Sequence, residues 1–414
     1  MNPIKLEPNS PSRGRKHICL FFESEAHYQA CVSDLAKYRA HLIESQQRHP
    51  ELFPQAFAAG FSFHDSYRSR KQKGLVLRRI RLNQTGDVFT LRPSFVMPYL
   101  IGRSEEVEKA LYLRQWDVPF EALAHVFGRD AMYWYRAWLA FGRPSLVGTT
   151  VKAAERMPKH LVADEKITWL DKAEVCAPTT VGAGCVLGIS LAENEDGASL
   201  QKAYGEFAQE AAEVFPDYQP ESVCTDGWAA TREAWRTLFS GITLILCFLH
   251  SILKIRDRCR GELRREILDK AWRVYQAADK RSFAQRTRRL REWSQARLTG
   301  VAATMVEKLC ARCDAFLPAY DCPGGARTSN AVDRLLDVID RHLYAMRYCH
   351  GTPASARLAV RAMAMQWNFH PYGKRLGQDQ PERSSPFADL NGFQYHKNWL
   401  QNFLIASSMG GLRL

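Results

Sequence analysis

The sequence predicts an α/β protein built on a mixed β-sheet. Residues 160–246 alternate short apolar runs with segments of helical periodicity. Their order along the chain is three strands, a helix, a strand, a helix and a strand. Short turns separate the first three strands, which can therefore pair antiparallel. The later strands are joined through helices, as parallel strands require.

Five apolar runs are the strand candidates, at residues 160–164, 172–181, 185–191, 222–224 and 242–246. The segments 199–214 and 228–238 are the helices between them, because their apolar residues recur at helix-face spacing. This element order is that of an RNase H-like fold. In that layout the first and fourth strands are neighbours.

Two acidic residues follow strand candidates that this order makes neighbours. Asp164 ends the first strand, and Asp226 follows the fourth and precedes Gly227. The carboxyl ends of strands are where α/β sheets place ligands, so both carboxylates are candidate catalytic residues. Two structural alternatives stay open, since Asp164 can be an ordinary strand-end acid and Asp226 can cap the next helix.

A third acid opens a later helix. The segment Thr328–Asp333 begins a helical pattern that continues to Tyr348, with Asp333, Asp337 and Asp340 on one face. Asp333 is the candidate, because the start of the helix can reach the strand-end crevice. It can also simply complete a capping pair with Asn330. Three carboxylates on separate elements suit two Mg²⁺ or Mn²⁺ ions, which activate phosphodiester cleavage.

Charge and composition favour a nucleic-acid partner. The 414 residues carry a net charge of +13, and residues 251–300 hold 15 Lys and Arg against 6 Asp and Glu. This stretch is helical in pattern and predicts a basic insertion that ends by residue 325. No apolar run reaches the ~18 residues of a membrane span. The first residues lack the apolar core of a secretory signal, and 11 scattered cysteines suit a reducing cytoplasm.

Residues 104–144 predict a helix-turn-helix. Ser104 is expected to cap the first of three short helices, and Asp130 is expected to cap the last after a turn at Gly128. The last helix of such a unit enters the major groove of DNA. Its candidate contacts are Arg129, Tyr133 and Arg136. A plain helical bundle is the alternative, because Trp134 and Trp138 have core character.

The chain resembles bacterial insertion-sequence transposases of the DDE superfamily, near the Mutator-like and related groups, over residues 104–370. Four stretches carry the resemblance: Asp164 in VADEKITWLD, Asp226 in VCTDGW, Cys247–His250 as CFLH, and Asp333 in RTSNAVDRLL. The CFLH stretch matches a C/DxxH motif that follows the second acid in these groups. The family usually has Glu where this chain has Asp333.

The resemblance implies a DNA transposase with an RNase H-like core interrupted by a helical insertion. In such enzymes water attacks a phosphodiester at the element end, and the freed 3′-OH then attacks target DNA. Cys247 and His250 would organise the site. Double-stranded DNA, both the terminal inverted repeats and the target, would be the partner of a homo-oligomer in the bacterial cytoplasm, at the nucleoid. A catalytically silent, host-recruited DNA-binding regulator is the alternative function, and a structure-selective nuclease is a third.

The expected organisation has six parts: 1–103, an N-terminal region with a basic hairpin; 104–150, the helix-turn-helix; 151–250, the first part of the core; 251–325, the insertion; 326–373, the second part of the core; and 374–414, a tail. The basic hairpin, 75–82 with 88–91, can lie along phosphates or form a solvated charged face. Cys247 and His250 can alternatively bind zinc with Cys310 and Cys313.

Overall fold

The computed structural model describes residues 16–72, 74–98, 100–373, 379–380 and 383–412. Within them the chain is a mixed α/β protein with two sheets, as predicted. Residues 1–16 are polar with Pro and Ser, a composition that predicts a disordered lead, and all of them but Lys16 lie outside the described residues. No helix in the described ranges is both long and apolar enough to cross a membrane.

The N-terminal sheet has four strands in the order β1-β4-β3-β2. Its elements are β1 His17–Leu20, α1 Glu25–Ser33, α2 Leu35–Arg48, β2 Phe61–Ser69, β3 Leu75–Leu82 and β4 Val88–Pro93. The predicted hairpin is present as β3 and β4. Strand β2 was not predicted, because its polar residues dilute the alternation that marks a strand.

Three helices follow the N-terminal sheet, and we call them the helical trio: α3 Ser104–Arg114, α4 Phe120–Phe127 and α5 Ala131–Leu139. Asp130 caps α5 as predicted, since its carboxylate accepts the N–H of Tyr133 at 2.7 Å. The prediction that Ser104 is a helix cap is wrong. Arg103 holds the cap position, and Ser104 is the first helical residue and is buried.

The central sheet has five strands in the order β7-β6-β5-β8-β9. The elements from the helical trio onward are α6 Leu146–Thr150, β5 His160–Leu170, β6 Ala173–Gly182, β7 Cys185–Ile189, α7 Gly197–Val214, β8 Ser222–Thr225, α8 Ala229–Leu238 and β9 Thr243–Leu246. Strands β5, β6 and β7 pair antiparallel, and β5, β8 and β9 pair parallel. The predicted mixed sheet and its connections are therefore present.

A group of helices with its own hydrophobic cluster follows β9. They are α9 Phe248–Arg258, α10 Gly261–Tyr275, α11 Lys280–Arg297, α12 Gly300–Ala311 and α13 Cys313–Phe316. Ile267, Phe283 and Val306 are fully buried among them. The charged residues lie on the outer surface, so this part of the chain presents a basic exterior over an apolar interior.

The chain then returns to the sheet through α14 Asn330–Ala345 and α15 Pro353–Phe369, and ends with α16 Pro386–Asn391 and α17 Trp399–Ala406. The last helix lies in the segment expected to be a tail, and its Leu400, Phe403 and Leu404 are buried in the main core. Residues 374–378, 381–382 and 413–414 of that tail lie outside the described residues.

Helices cover both faces of the central sheet. Leu161, Ala163 and Val223 pack with α7 and α8 on one face. Val162 and Cys224 belong to the cluster that contains α14 and α15 on the other. Because successive strand residues point to opposite faces, the even-numbered residues of β5 face α14. This alternation determines which acidic side chains can meet.

Helix α15 joins the sheet to the helical trio and the C-terminal helices. The imidazole of His370, just after α15, lies 4.6 Å from the Tyr112 ring and 5.7 Å from the Trp399 ring between centroids. Its Nδ1 donates to the Pro371 carbonyl at 2.8 Å. Burial lowers the pKa of His370 to about 4. The ring is therefore neutral in the folded protein at pH 7.

His370 should make the fold sensitive to mild acid. The unfolded chain takes up a proton near pH 6.5 and the folded chain only near pH 4, so stability is full above 6.5 and falls as the pH drops towards 4. Between pH 7 and pH 5 the loss from this residue is about 2 kcal/mol. Urea unfolding at both pH values should show a smaller loss for His370→Asn, which keeps a donor near Nδ1. An equal loss in both proteins would contradict this assignment.

Candidate functional site

The first two predicted acids lie at the carboxyl edge of the parallel part of the sheet. The register pairs Val162 with Cys224, and Asp164 and Asp226 each lie two residues beyond this last pair. Strand β5 does not end at Asp164 as predicted. It continues to Leu170 because β6 pairs with it from Val162 to Leu170, whereas pairing with β8 stops at Val162.

The third predicted acid lies in the first turn of α14. Asp333 receives a hydrogen bond from the Ser329 hydroxyl at 3.0 Å, and its N–H donates to the Ser329 carbonyl at 3.0 Å. Ser329 holds the cap position, but its side chain caps no backbone N–H. The start of this helix is thus tied to the acid itself through the Ser329 side chain.

Asp164, His250 and Asp333 form one compact group. A ligand atom from each lies within 4.8 Å of the ligand atoms of the other two. His250 Nε2 is 3.9 Å from an Asp164 oxygen, and Asp164 is only 13% exposed. Among the described residues no other set of three or more Asp, Glu, His and Cys side chains comes together in this way. The structure therefore unites two of the predicted acids with the histidine of the CFLH stretch.

Asp226 is near this group but outside it. Its carboxylate accepts the N–H of Trp228 at 2.7 Å, which holds the side chain in the turn after β8. Gly227 permits that turn, because its φ is +89° and a Cβ there would lie 2.3 Å from the Leu246 side chain. Asp226 still acts on the group electrostatically, since it raises the pKa of Asp164.

The acids of the group repel one another in a poorly solvated environment. Burial raises the pKa of Asp164 to about 6, Asp226 and Asp333 act in the same direction, and His250 opposes them. Burial also raises the pKa of Asp333, which the Ser329 hydrogen bond partly offsets. Buried carboxylates of this kind are stabilised by a cation. A divalent metal ion held by Asp164, Asp333 and His250 would supply one.

Cys247 contacts Ser329, the residue that donates a hydrogen bond to Asp333. Its sulfur accepts the N–H of Ser329 at 3.1 Å and lies 3.2 Å from the Ser329 hydroxyl. Hydrogen bonds from Cys224, His250 and Ser329 lower the pKa of Cys247. The contact with Cys247 in turn raises the pKa of His250 to about 9. His250 is thus suited either to neutralise Asp164 as an imidazolium or, after losing its proton, to bind a metal ion.

Glu165 is an acid that the sequence analysis did not single out. It points to the opposite face of the sheet, where it accepts hydrogen bonds from the hydroxyls of Tyr204 on α7 and Thr231 on α8. Burial raises the pKa of Glu165 to about 7. The position of Glu165 next to Asp164 in a strand could have identified it, because side chains alternate and two adjacent acids therefore point to opposite faces of the sheet.

Asp340 and Cys310 have partners outside the compact group. Asp340 forms a salt bridge with Lys166 at 3.0 Å, and Lys166 lies two residues beyond Asp164 on β5. Cys310 is buried in the helical group, 3.7 Å from the Thr287 carbonyl. The alternative zinc site of Cys247, His250, Cys310 and Cys313 is not formed among the described residues.

The helical trio presents a mixed surface around its turn. Arg129 lies over the Tyr133 ring at 4.5 Å and near Glu106 at 3.8 Å, and the Tyr133 hydroxyl donates to the Ile101 carbonyl at 2.6 Å. Arg136 is exposed, and no ion pair with another described residue engages it. Met132 is 51% exposed beside it. Two of the predicted DNA contacts, Arg129 and Tyr133, thus already make intramolecular contacts, and Arg136 is available to bind a partner.

The compact group should bind divalent metal ions. At an ion concentration of 100 Kd, binding stabilises the folded state by about 2.7 kcal/mol, so Mn²⁺ and Mg²⁺ should raise the thermal midpoint and EDTA should reverse the rise. Asp164→Asn and Asp333→Asn should abolish the metal-dependent rise. Asp340→Asn, which removes only a salt bridge with Lys166, is the matched control and should retain it. A full rise in Asp164→Asn would show that the ion binds elsewhere.

Comparison with known proteins adds no family to these observations. No protein-family model matches the chain, and no curated protein sequence matches it. The chemistry of the site therefore depends on the residues and geometry described above.

Proposed function

We propose that this protein is a DNA transposase of the DDE type, which cleaves phosphodiesters at element ends and transfers the freed strand to target DNA. The observation that carries the proposal is the meeting of Asp164, Asp333 and His250, from three separate elements, at the edge where the parallel strands end. Asp226 follows the neighbouring strand, and like Asp164 it lies two residues beyond the last pair of the two strands.

The topology supports an RNase H-like core. An antiparallel unit of three strands continues into two parallel strands through helical crossovers, with the first strand in the middle of the sheet. A helical segment with its own hydrophobic cluster separates β9 from the helix that carries Asp333. Both features agree with the organisation that the resemblance to insertion-sequence transposases implies.

The acids, Ser329, Cys247 and His250 would have different roles in the reaction. Asp164, Asp333 and Asp226 would hold two Mg²⁺ or Mn²⁺ ions, which supply activation of the attacking oxygen and stabilisation of the leaving oxygen. Ser329 orients Asp333 through its hydroxyl, and the Cys247 sulfur fixes Ser329. His250 lies against Asp164, where its imidazole can bind metal or balance charge. The protein thus supplies oxygen ligands and their support.

DNA binding would use two further surfaces. The helical group after β9 carries most of the excess positive charge of residues 251–300 on its exterior, which suits contacts to phosphates. The helical trio offers Arg136 and Met132 on an exposed face of α5. Arginine reads guanine and apolar groups contact the thymine methyl in the major groove, so this face suits recognition of terminal DNA.

Cleavage should depend on all three acids. With Mn²⁺ and duplexes made from the DNA that flanks the gene, the purified protein should nick at the element end. Asp226→Asn and Asp333→Asn should each reduce the rate by on the order of 10²-fold or more, because each loses an oxygen ligand. Asp337→Asn, one helical turn from Asp333, is the matched control and should cleave normally.

Two outcomes of the cleavage assay would overturn the enzyme assignment. Wild-type rates in Asp226→Asn would remove that residue from the chemistry. Specific binding of the end duplexes without any cleavage by the wild-type protein would instead support the silent, host-recruited regulator.

Arg136 should contribute more to sequence recognition than Arg129. Arg136→Ala should cost about 1–3 kcal/mol of discrimination between the terminal sequence and a scrambled duplex, since a bidentate arginine–base contact has that value. Arg129→Ala should cost less, because Arg129 already contacts Glu106 and Tyr133. Fluorescence anisotropy with both duplexes measures the ratio, and Arg347→Ala is a surface control. If discrimination is unchanged in Arg136→Ala, recognition lies outside α5.

A further inference from the structure

A groove runs along the free edge of the central sheet. Strand β9 forms its floor, α8 forms one wall and the segment 312–318 after α12 forms the other. The groove has a volume of about 430 Å³. Thr225 and Gly227 line it, so it opens beside Asp226, which lies between them in the chain. Neither the resemblance nor the metal centre assigns a role to this groove.

The groove has an excess of positive charge. Arg232 and Arg236 contribute from α8 and Arg312 from the opposite wall, against a single acid, Asp314. None of these arginines forms an ion pair with any residue that the structure describes. Arg232 and Arg236 are one helical turn apart, about 6 Å along the axis of α8. Arginines without an ion-pair partner among the described residues are complementary to a chain of negative charges.

The floor adds backbone donors. The N–H groups of Thr243 and Cys247 donate towards β8, at 3.0 and 2.7 Å. Because N–H groups alternate in direction along a strand, those of Leu244 and Leu246 point into the groove. Backbone N–H groups and arginines are common contacts to phosphate oxygens. The groove therefore combines both kinds of donor.

The dimensions favour one strand over a duplex. The four residues of β9 span about 13 Å, which is about four phosphate spacings of one strand at ~3.4 Å each. A duplex, whose major groove alone is ~12 Å wide and ~8.5 Å deep, would not enter a groove of about 430 Å³. Among the described residues no aromatic side chain lines the groove, so bases would not stack there. Contacts would be to the backbone and independent of sequence.

We propose that this groove binds a single strand of nucleic acid through its phosphodiester backbone, with Arg232, Arg236 and Arg312 as phosphate contacts. Its opening beside Asp226 would direct the strand to the carboxylates, and this last step alone rests on the proposed function. The groove thereby acts as a strand-holding site separate from the helical trio.

The test measures the salt dependence of binding to a short labelled oligothymidine by anisotropy. The triple variant Arg232→Gln, Arg236→Gln, Arg312→Gln should lower the slope of log K against log salt by about 2, because each single-strand phosphate contact contributes about 0.7. Asp314→Asn should tighten binding. Arg347→Gln, an exposed arginine that does not line the groove, should change neither the slope nor the affinity. Thermal unfolding of each variant establishes that it is folded.

Three results would overturn the proposal. The first is an unchanged slope for single strands in the folded triple variant, whether or not the slope for duplexes changes. The second is competition by inorganic phosphate at constant ionic strength, which would mark a small-anion site. The third is a change of oligomeric state in the triple variant without a change in slope, which would mark strand pairing with a second copy of the chain.

The same proteins separate this proposal from the proposed function. A reduced slope in the triple variant supports the groove even if the wild-type protein never cleaves DNA. An unchanged slope, together with Mn²⁺-dependent cleavage by the wild-type protein, overturns the groove and leaves the transposase assignment intact.

Discussion

The contact between Cys247 and Ser329 is the constraint on which the candidate site depends. The two residues are 82 positions apart, and the N–H of Ser329 donates to the Cys247 sulfur at 3.1 Å. This bond brings the start of α14 against the end of β9 after the whole helical group has intervened. Asp333 then lies over the sheet edge, and a ligand atom of His250, in the first turn of α9, lies within 4.8 Å of those of Asp333 and Asp164.

The electrostatics of the site follow from that closure. Burial raises the pKa values of Asp164 and Asp333. His250 is the cationic member of the group, because the contact with Cys247 raises its pKa. One imidazolium cannot neutralise three neighbouring carboxylates. The site is therefore suited to divalent ions, whose charge would satisfy the acids that the fold has brought together.

The same core also supports the helical trio. Trp138 on α5 donates to the side chain of Gln366 on α15 at 2.8 Å, and Gln366 donates to the Leu111 carbonyl at 2.8 Å. His342 on α14 lies 2.6 Å from Asp117, in the loop between α3 and α4. Because α14 also carries Asp333, one helix both contacts the trio and contributes to the compact group.

The sequence by itself determined the order of the central strands along the chain, the helical group after them, the three helices of the helical trio, and Asp226 and Asp333 as acids at element ends. It also singled out Asp164, although β5 continues past this residue to Leu170. Each of these is encoded locally, by apolar periodicity, by turn residues or by position within one element. Only the tertiary structure decided that His250 joins Asp164 and Asp333 while Asp226 lies outside their group, that Ser329 contacts Cys247, and that the C-terminal helices enter the core. These features depend on contacts between residues 80 or more positions apart, such as Cys247 with Ser329. No local pattern specifies such contacts, because they result from the simultaneous packing of the whole chain.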